Sequence, residues 1–433
     1  MKIEINDNNG KWHQSFTIKM VLLAFMGLFL LIPLEMIKEM IQERQQTSEL
    51  IKNEISSQWA GPQIVAGPVL NIPVLIYPSA KDVDPYRSVF HVMPEVLDVN
   101  SIVSTEKRHR SIYEAVVYTS DFNISGEFII PEIKTGENSE VLWNEAYYSV
   151  GISDNRGIKG AVSLKTDTTT LEAVPGLREA EMFSSGITFP VRSGDKIENV
   201  KFNLTLKLSG SESIYFIPIG KTTTMNMKSG WNAPGFTGKF LPTEKEINQS
   251  GFTAEWLITN LNRNFPQSWF GNAYHIETDS FGTNFVLEVD HYQKSIRSAK
   301  YGILFIALTF LALLFVEIYT GSRIHVFNYL QLALGLVLFF SLLNALSEQI
   351  GFTPAYLAAS VSTIVLITSF FKALIRNNRM AYLFGGLLVF LYSFIFILLT
   401  LNDYAYLAGN IGLFALLAIT MRFSLKLELH KAE

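Results

Sequence analysis

Tyr301–Tyr319 reads YGILFIALTFLALLFVEIY, with Glu317 as its one charged residue. A helix needs roughly 20 mostly apolar residues to cross about 30 Å of hydrocarbon, so this stretch is expected to span a membrane. Four more such runs follow it: Val326–Leu346, Thr353–Phe371, Met380–Leu401 and Tyr404–Met421. One further run, Thr17–Ile37, stands alone near the N-terminus, and residues 38–300 hold none. The expected fold is an α+β membrane protein. It has six transmembrane helices in a 1 + 5 arrangement and a large β-rich, sandwich-like domain inserted between helices 1 and 2. The expected divisions are 1–37 for the N-terminus and first helix, 38–300 for a stalk and the β-rich domain, 301–421 for the five-helix bundle, and 422–433 for the tail.

Orientation follows from Lys and Arg in the short connections. With the N-terminus inside, the inner pieces carry Lys2, Lys11, Lys19, Arg323, Lys372, Arg376, Arg379, Arg422, Lys426 and Lys431. The outer loops Ser347–Phe352 and Asn402–Asp403 carry none, and hold Glu348 and Asp403 instead. Lys294, Arg297 and Lys300 oppose the pattern but are outnumbered. Both termini are therefore expected in the cytoplasm and residues 38–300 outside. Tyr301, Tyr319, Tyr329, Tyr356, Tyr382 and Tyr404 lie near run ends, where an amphipathic ring suits the headgroup layer. The first run has a positive flank like a signal peptide, but no small-residue cleavage pattern follows Pro33, so it is expected to stay as an anchor.

Residues 38–300 read as ordinary globular protein, with 25 Lys/Arg against 31 Asp/Glu, a local charge of −6. That balance argues against a nucleic-acid partner, which requires a basic face. The cluster Lys107–Arg110 is short and reads as a solvated loop. Ile37, Ile41, Ile51 and Ile55 keep helical spacing and predict a stalk to about Ser57. The period then changes. Gln63–Tyr77, Ser111–Tyr118, Asn123–Ile130, Val200–Leu208, Ser213–Pro218 and Asn284–Asp290 read as strands bounded by turn residues. They suggest an antiparallel sandwich or two packed sub-sandwiches, with Pro175–Gly186 as the best internal boundary.

No cysteine is present, which excludes disulfides, thiol catalysis and thiolate-ligated metals. The histidines, His13, His91, His109, His275, His291, His325 and His430, include no pair at the i, i+4 spacing of a helical metal site. Ser193 and Lys196 match a Ser-x-x-Lys pattern only by spacing, in a turn. There is no nucleophile elbow, phosphate-binding loop or dinucleotide fingerprint. No metal, cofactor or catalytic group is expected, and the chain reads as no enzyme.

An ionisable group in hydrocarbon is costly and usually functional. Glu317 lies 16 residues after Tyr301, about 24 Å along the helix at 1.5 Å per residue. It is expected near the cytoplasmic edge, free to reach the interface or pair with Arg323. Asn344 and Glu348 share a face at i, i+4 spacing near the outer end of the third helix. No charged residue falls near the middle of any run. Thr309, Ser360, Ser362, Thr363 and Ser393 are there instead, and are expected to bond across helices. Gly385–Gly386 is expected to allow close helix contact.

Tyr301–Phe310, Glu317, His325, Tyr329-Leu330, Ala345–Phe352 (ALSEQIGF) and Ala355-Tyr356 stand in a pattern that resembles the CreD family of bacterial inner-membrane proteins. It continues outside the bundle in Gly67–Val74 (GPVLNIPV), Asp154–Ile158 (DNRGI), Phe240–Pro242 and Ser250–Trp256 (SGFTAEW). Gln349 departs from it, since a His is expected after Ser347-Glu348. The resemblance implies a role in envelope integrity, with no known enzyme activity, substrate or cofactor. The candidate functional positions are Glu317, His325, Asn344 and Glu348, of which the resemblance covers Glu317, His325 and Glu348. The expected partners are the lipid bilayer and an envelope component (lipid, peptidoglycan or protein) held by the periplasmic domain. The alternative is a transporter or flippase that works through the bundle.

Overall fold

A computed structural model describes residues 16–78, 84–134, 139–179, 182–191, 196–274, 276–285, 291–321, 324–375, 377–401, 407–412, 414, 418 and 421–422. The chain divides into two compact units, Met1–Ser48 with Val289–Glu433, and Glu49–Glu288.

In the first unit α1 runs Phe16–Phe29; α2 runs Leu31–Trp59, passes into the second unit after Ser48 and carries helix past the predicted stalk end at Ser57. The break at Leu30 has a local cause. Pro33 has no N–H to donate one turn back, and its ring crowds the carbonyl there. Next come α3 (His291–Lys300), α4 (Gly302–Thr320), α5 (Val326–Ile350), α6 (Phe352–Ile375) and α7 (Asn378–Thr400). Gly321 (φ 65°) and Gly351 (φ 77°) follow the last turns of α4 and α5, where a left-handed residue lets the chain leave the helix. Among the described residues five helical stretches are long and apolar enough to cross a membrane: 18–59, 291–320, 326–350, 352–375 and 378–400. The sixth expected span, Tyr404–Met421, lies largely outside the described residues.

The bundle core is aromatic. Phe305, Phe339, Phe340 and Tyr392 interlock, with the Phe305 and Tyr392 rings 4.7 Å apart. The Tyr356 hydroxyl donates to the Tyr392 carbonyl at 2.8 Å and joins α6 to α7. The small polar residues expected to bridge helices behave differently. Ser360, Ser362 and Thr363 donate to carbonyls of their own helix, Leu357, Ala358 and Ala359. Each of these hydroxyls is thereby satisfied within its own helix. Gly385 does sit close to a neighbour, since a Cβ there would stand 2.9 Å from Thr368 Oγ1. Gly386 faces open space.

The second unit is two sheets around one core. Its strands are β1 (Gln63–Ile76), β2 (Tyr86–Val92), β3 (Val96–Arg110), β4 (Tyr113–Phe128), β5 (Ser139–Val141), β6 (Tyr147–Ile152), β7 (Ser163–Thr166), β8 (Thr170–Glu172) and β9 (Val174–Pro175). They continue as β10 (Gly186–Pro190), β11 (Val200–Ser211), β12 (Ser213–Phe216), β13 (Thr222–Ser229), β14 (Pro234–Gly238), β15 (Glu244–Asn248), β16 (Gly251–Thr259), β17 (Ser268–Phe270) and β18 (Phe281–Phe285). The larger sheet runs β14-β18-β12-β1-β6-β10-β9, with β2 and β5 also on β1 and β17 on β2. The other runs β15-β16-β13-β3-β4-β11-β7-β8. Period-2 alternation explains the packing. On β11, Phe202, Leu204, Leu206 and Leu208 point inward while Lys201, Thr205 and Lys207 face water. Trp256, Phe122, Phe128, Phe216 and Phe281 fill the space between the sheets.

Three expectations are corrected. Ser111–Tyr118 and Asn123–Ile130 are one strand, β4, because its polar middle finds partners on both sides: Ser101 Oγ meets Ser120 Oγ at 2.9 Å, and Thr119 meets Ser209 at 3.2 Å. The sheets are mixed rather than antiparallel, since β1 pairs β12 and β3 pairs β13 in parallel. Pro175–Gly186 is no internal boundary: Ile187 pairs with Pro175 across it, and one core serves both sides.

Candidate functional site

The polar residues singled out in the bundle fall at opposite ends of α5. At one end, Glu317 near the end of α4 meets Lys19 of α1. The Lys19 ammonium donates to both carboxylate oxygens at 2.5 Å and to the Ile324 carbonyl at 2.6 Å. The Tyr329 hydroxyl donates to Glu317 Oε2 at 2.9 Å, and the ammonium lies 5.1 Å from the Tyr329 ring centroid. Both charged side chains are 17% exposed. A pair this enclosed has little water to fall back on, so each charge relies on the other for compensation. Arg323, the partner expected for Glu317, lies outside the described residues. The sequence marks Lys19 only as part of the basic flank. The signal for it was its place inside the first turn of an apolar helix, where a lone ammonium needs a counter-charge.

His325 stands beside this pair and does a different task. Its Nδ1 accepts the Phe327 N–H at 3.2 Å and caps α5. Helix N-termini leave such N–H groups unsatisfied, so the imidazole is an N-cap.

At the other end of α5, Asn344 is 4% exposed, and Ser347 Oγ donates to its carbonyl at 2.9 Å. The Tyr292 hydroxyl of α3 donates to Glu348 Oε1 at 3.4 Å. Asn344 and Glu348 thus share one end, as their spacing implied, and Glu317 and His325 share the other.

In the second unit the DNRGI stretch is a clasp. Asp154 accepts the Gly61 N–H at 3.0 Å and the Arg156 guanidinium at 2.9 and 2.6 Å. Arg156 also donates to the Ser57 carbonyl at 2.8 Å, near the C-terminal end of α2. The Arg156 hydrogen bond, helped by backbone N–H groups, holds the Asp154 carboxyl down to about 2. Gln63 completes the clasp by donating to the carbonyls of Asp154 and Ser209, both at 3.0 Å. Trp59 donates to the Tyr118 carbonyl at 3.2 Å, and the cations of Arg108 and Lys159 lie 4.9 and 5.4 Å from its ring centroid. The basic cluster at the β3–β4 turn is engaged: Arg110 pairs with Glu54 at 2.5 Å, Arg108 with Glu106 at 3.0 Å, and Lys107 and His109 with Glu114.

Buried polar groups elsewhere in this unit are also tied into structure. His91 meets Asn71 Oδ1 at 2.7 Å, and Asn71 donates to Ser149 at 2.8 Å. Burial draws the Arg263 guanidinium down to about 10 against the opposing pull of Asp279, whose carboxylate accepts from Lys239. His13, His275, His430 and Ser193 lie outside the described residues. Among the described residues no three His, Cys, Asp or Glu side chains gather as metal ligands. The outer face of the eight-stranded sheet carries a groove of about 440 Å³, lined by Asn100, Ile102, Asn226, Lys228, Glu244 and Glu255 among others.

The sequence pattern of a family described as "Inner membrane protein CreD" matches residues 15–430. The chain is 32% identical over 411 residues to "Inner membrane protein CreD" of Escherichia coli (strain K12), covering 92% of this chain and 90% of that relative. The match takes in both ends of the bundle, the clasp and both sheets. With apolar helices suited to a multi-pass protein and a β-rich unit between them in the chain, this protein belongs to the CreD family of inner membrane proteins.

Proposed function

We propose that this protein supports cell-envelope integrity without catalysing a reaction. Its β-rich unit would lie in the periplasm and bind an envelope component, and its bundle would anchor that unit with both termini in the cytoplasm. The groove on the eight-stranded sheet carries this reading. Asn100 and Asn226 stand opposite each other on β3 and β13, and Glu255 stands opposite Asn226 on β16, all three exposed. Amides and carboxylates on neighbouring strands suit a hydrated polar chain, such as the glycan and peptide of peptidoglycan, better than a lipid tail. The inward skew of Lys and Arg in the short loops supports the orientation.

The test is survival in detergent of cells lacking the protein. Residues 1–300, holding the anchor and the β-rich unit, are expected to rescue. A full chain with Asn100→Ala and Asn226→Ala is expected to be made normally and to fail. A stable 1–300 chain that does not rescue would move the activity into the bundle. That outcome would favour transport of a lipid or small molecule, a reading supported by the unpaired polar atoms buried among the helices.

A further inference from the structure

The helices α3–α4 and α5 run antiparallel, and their contacts fix a register. Tyr329 reaches Glu317 at 2.9 Å. Farther along, the Phe305 and Phe340 rings are 6.0 Å apart, and a side chain at Gly302 would meet Phe340 at 3.0 Å. Tyr292 reaches Glu348 at 3.4 Å. Carried along at the helical rise, this register sets Ser298 at the level of Asn344 and Ser295 at the level of Ser347.

That level is polar and closed. Relative exposure is 1% for Ser295, 0% for Ser298, 4% for Asn344 and 2% for Ser347. Ser295 Oγ, Ser298 Oγ and Asn344 Oδ1 are buried with no hydrogen-bond partner. An unpaired buried polar atom is costly, more so among apolar helices. Three of them within one turn of one helix pair call for a common occupant. All three atoms are oxygens. One turn along α5 stands Glu348, a carboxylate with no basic partner among the described residues.

An oxygen-only donor set suits a hard cation, and small cations of this kind take carboxylate, amide and hydroxyl oxygens. A single formal negative charge balances one positive charge. A divalent ion would leave an uncompensated charge in a low-dielectric interior. We propose that this level of the α3–α5 interface binds a monovalent alkali cation, with Ser295 Oγ, Ser298 Oγ and Asn344 Oδ1 as neutral ligands and Glu348 balancing the charge. The site would account for three polar side chains buried on α3 and α5. It does not depend on what the β-rich unit binds.

The test uses the full chain in detergent. The protein is heated in lithium, sodium, potassium or choline chloride at constant ionic strength, and the midpoint for loss of the monodisperse gel-filtration peak is read. The wild type is expected to show a saturable upward shift of several degrees with one small alkali cation over choline. Ser298→Ala and Asn344→Leu are expected to lose that shift. In choline they should be at least as stable as the wild type, because an unpaired buried oxygen has been removed. Glu348→Gln is expected to weaken the shift, and Ser362→Ala, on an exposed hydroxyl bonded within its own helix, to keep it. If Asn344→Leu does not fold, Ser298→Ala decides. Equal midpoints for the wild type in all four salts, or a shift retained in Ser298→Ala, would overturn the proposal and leave those oxygens to water alone.

Discussion

Arg156 and Ser57 are 99 residues apart in the chain, yet the Arg156 guanidinium donates to the Ser57 carbonyl at 2.8 Å. The same guanidinium grips Asp154, which in turn holds the Gly61 N–H. One side chain therefore ties the last turns of α2 to the sheet that follows.

This clasp should fail in acid. The Asp154 carboxyl is depressed from 3.8 to about 2 in the folded protein. A depressed carboxyl stabilises the fold at pH values above its unfolded pKa, and that stabilisation is lost as pH falls through the folded value. Purified residues 49–288 should lose this contribution between about pH 4 and pH 2, read by circular dichroism. Asp154→Asn should start less stable at pH 7 and show a shallower loss over that window. An unchanged acid profile in the variant would remove the clasp from the account.

Lys19 and Glu317 should act as one unit. Removing one member leaves the other charge enclosed, so Lys19→Met or Glu317→Gln alone should cost about 2 kcal/mol, below the range for fully buried pairs because some water reaches both. Lys19→Met combined with Glu317→Gln should recover most of that loss. Heating in detergent reads the stability, and the detergent-survival assay reads the function. On the binding reading the double variant still rescues. A double variant that is stable but inactive would show that the charges do more than hold helices together.

Gly157 should not tolerate a side chain. A Cβ there would stand 2.2 Å from the Ser209 carbonyl oxygen and 2.5 Å from Gln63 Nε2. Backbone cannot retreat as a flexible side chain can, so Gly157→Ala should cost about 3 kcal/mol, measured by urea unfolding of residues 49–288. Gly160→Ser meets open space but sits at φ 77°, and should cost less.

The absence of cysteine makes the orientation directly measurable. Ser250→Cys, in the exposed turn between β15 and β16, should react in intact cells with a maleimide that reaches the periplasm but not the cytoplasm. Asn378→Cys, at the start of α7, should react only after the inner membrane is opened. The reverse pattern would invert the proposed topology.

The spanning runs were legible because hydrocarbon imposes both a length and a composition. The strands were legible where one face is wet, as in the KFNLTLKL stretch. Their pairing was not. Gln63 lies beside Ile214 through a parallel contact that no local pattern announces. β4 was cut in two because its polar middle looked like a turn until Ser101 and Ser209 were placed beside it. The bundle residues divide in the same way. Glu317 stands out as a charge in an apolar run, and its partner was hidden because pairing across 298 residues depends on how helices assemble. His325 was marked by its chemistry, and its role as a cap shows only in the backbone geometry around Phe327.

The Lys19–Glu317 contact also constrains how the protein is made. The ribosome delivers α1 first and must add 298 more residues before the carboxylate exists. At about 5–20 residues per second that is a wait of roughly 15–60 s. Through that interval an ammonium near the end of a newly inserted helix has no protein counter-charge of its own from α4. Headgroup phosphates, or the insertion machinery itself, must hold it. The nascent chain therefore carries this charge without its carboxylate until α4 emerges, and only then can the two ends of the bundle's first unit be tied together.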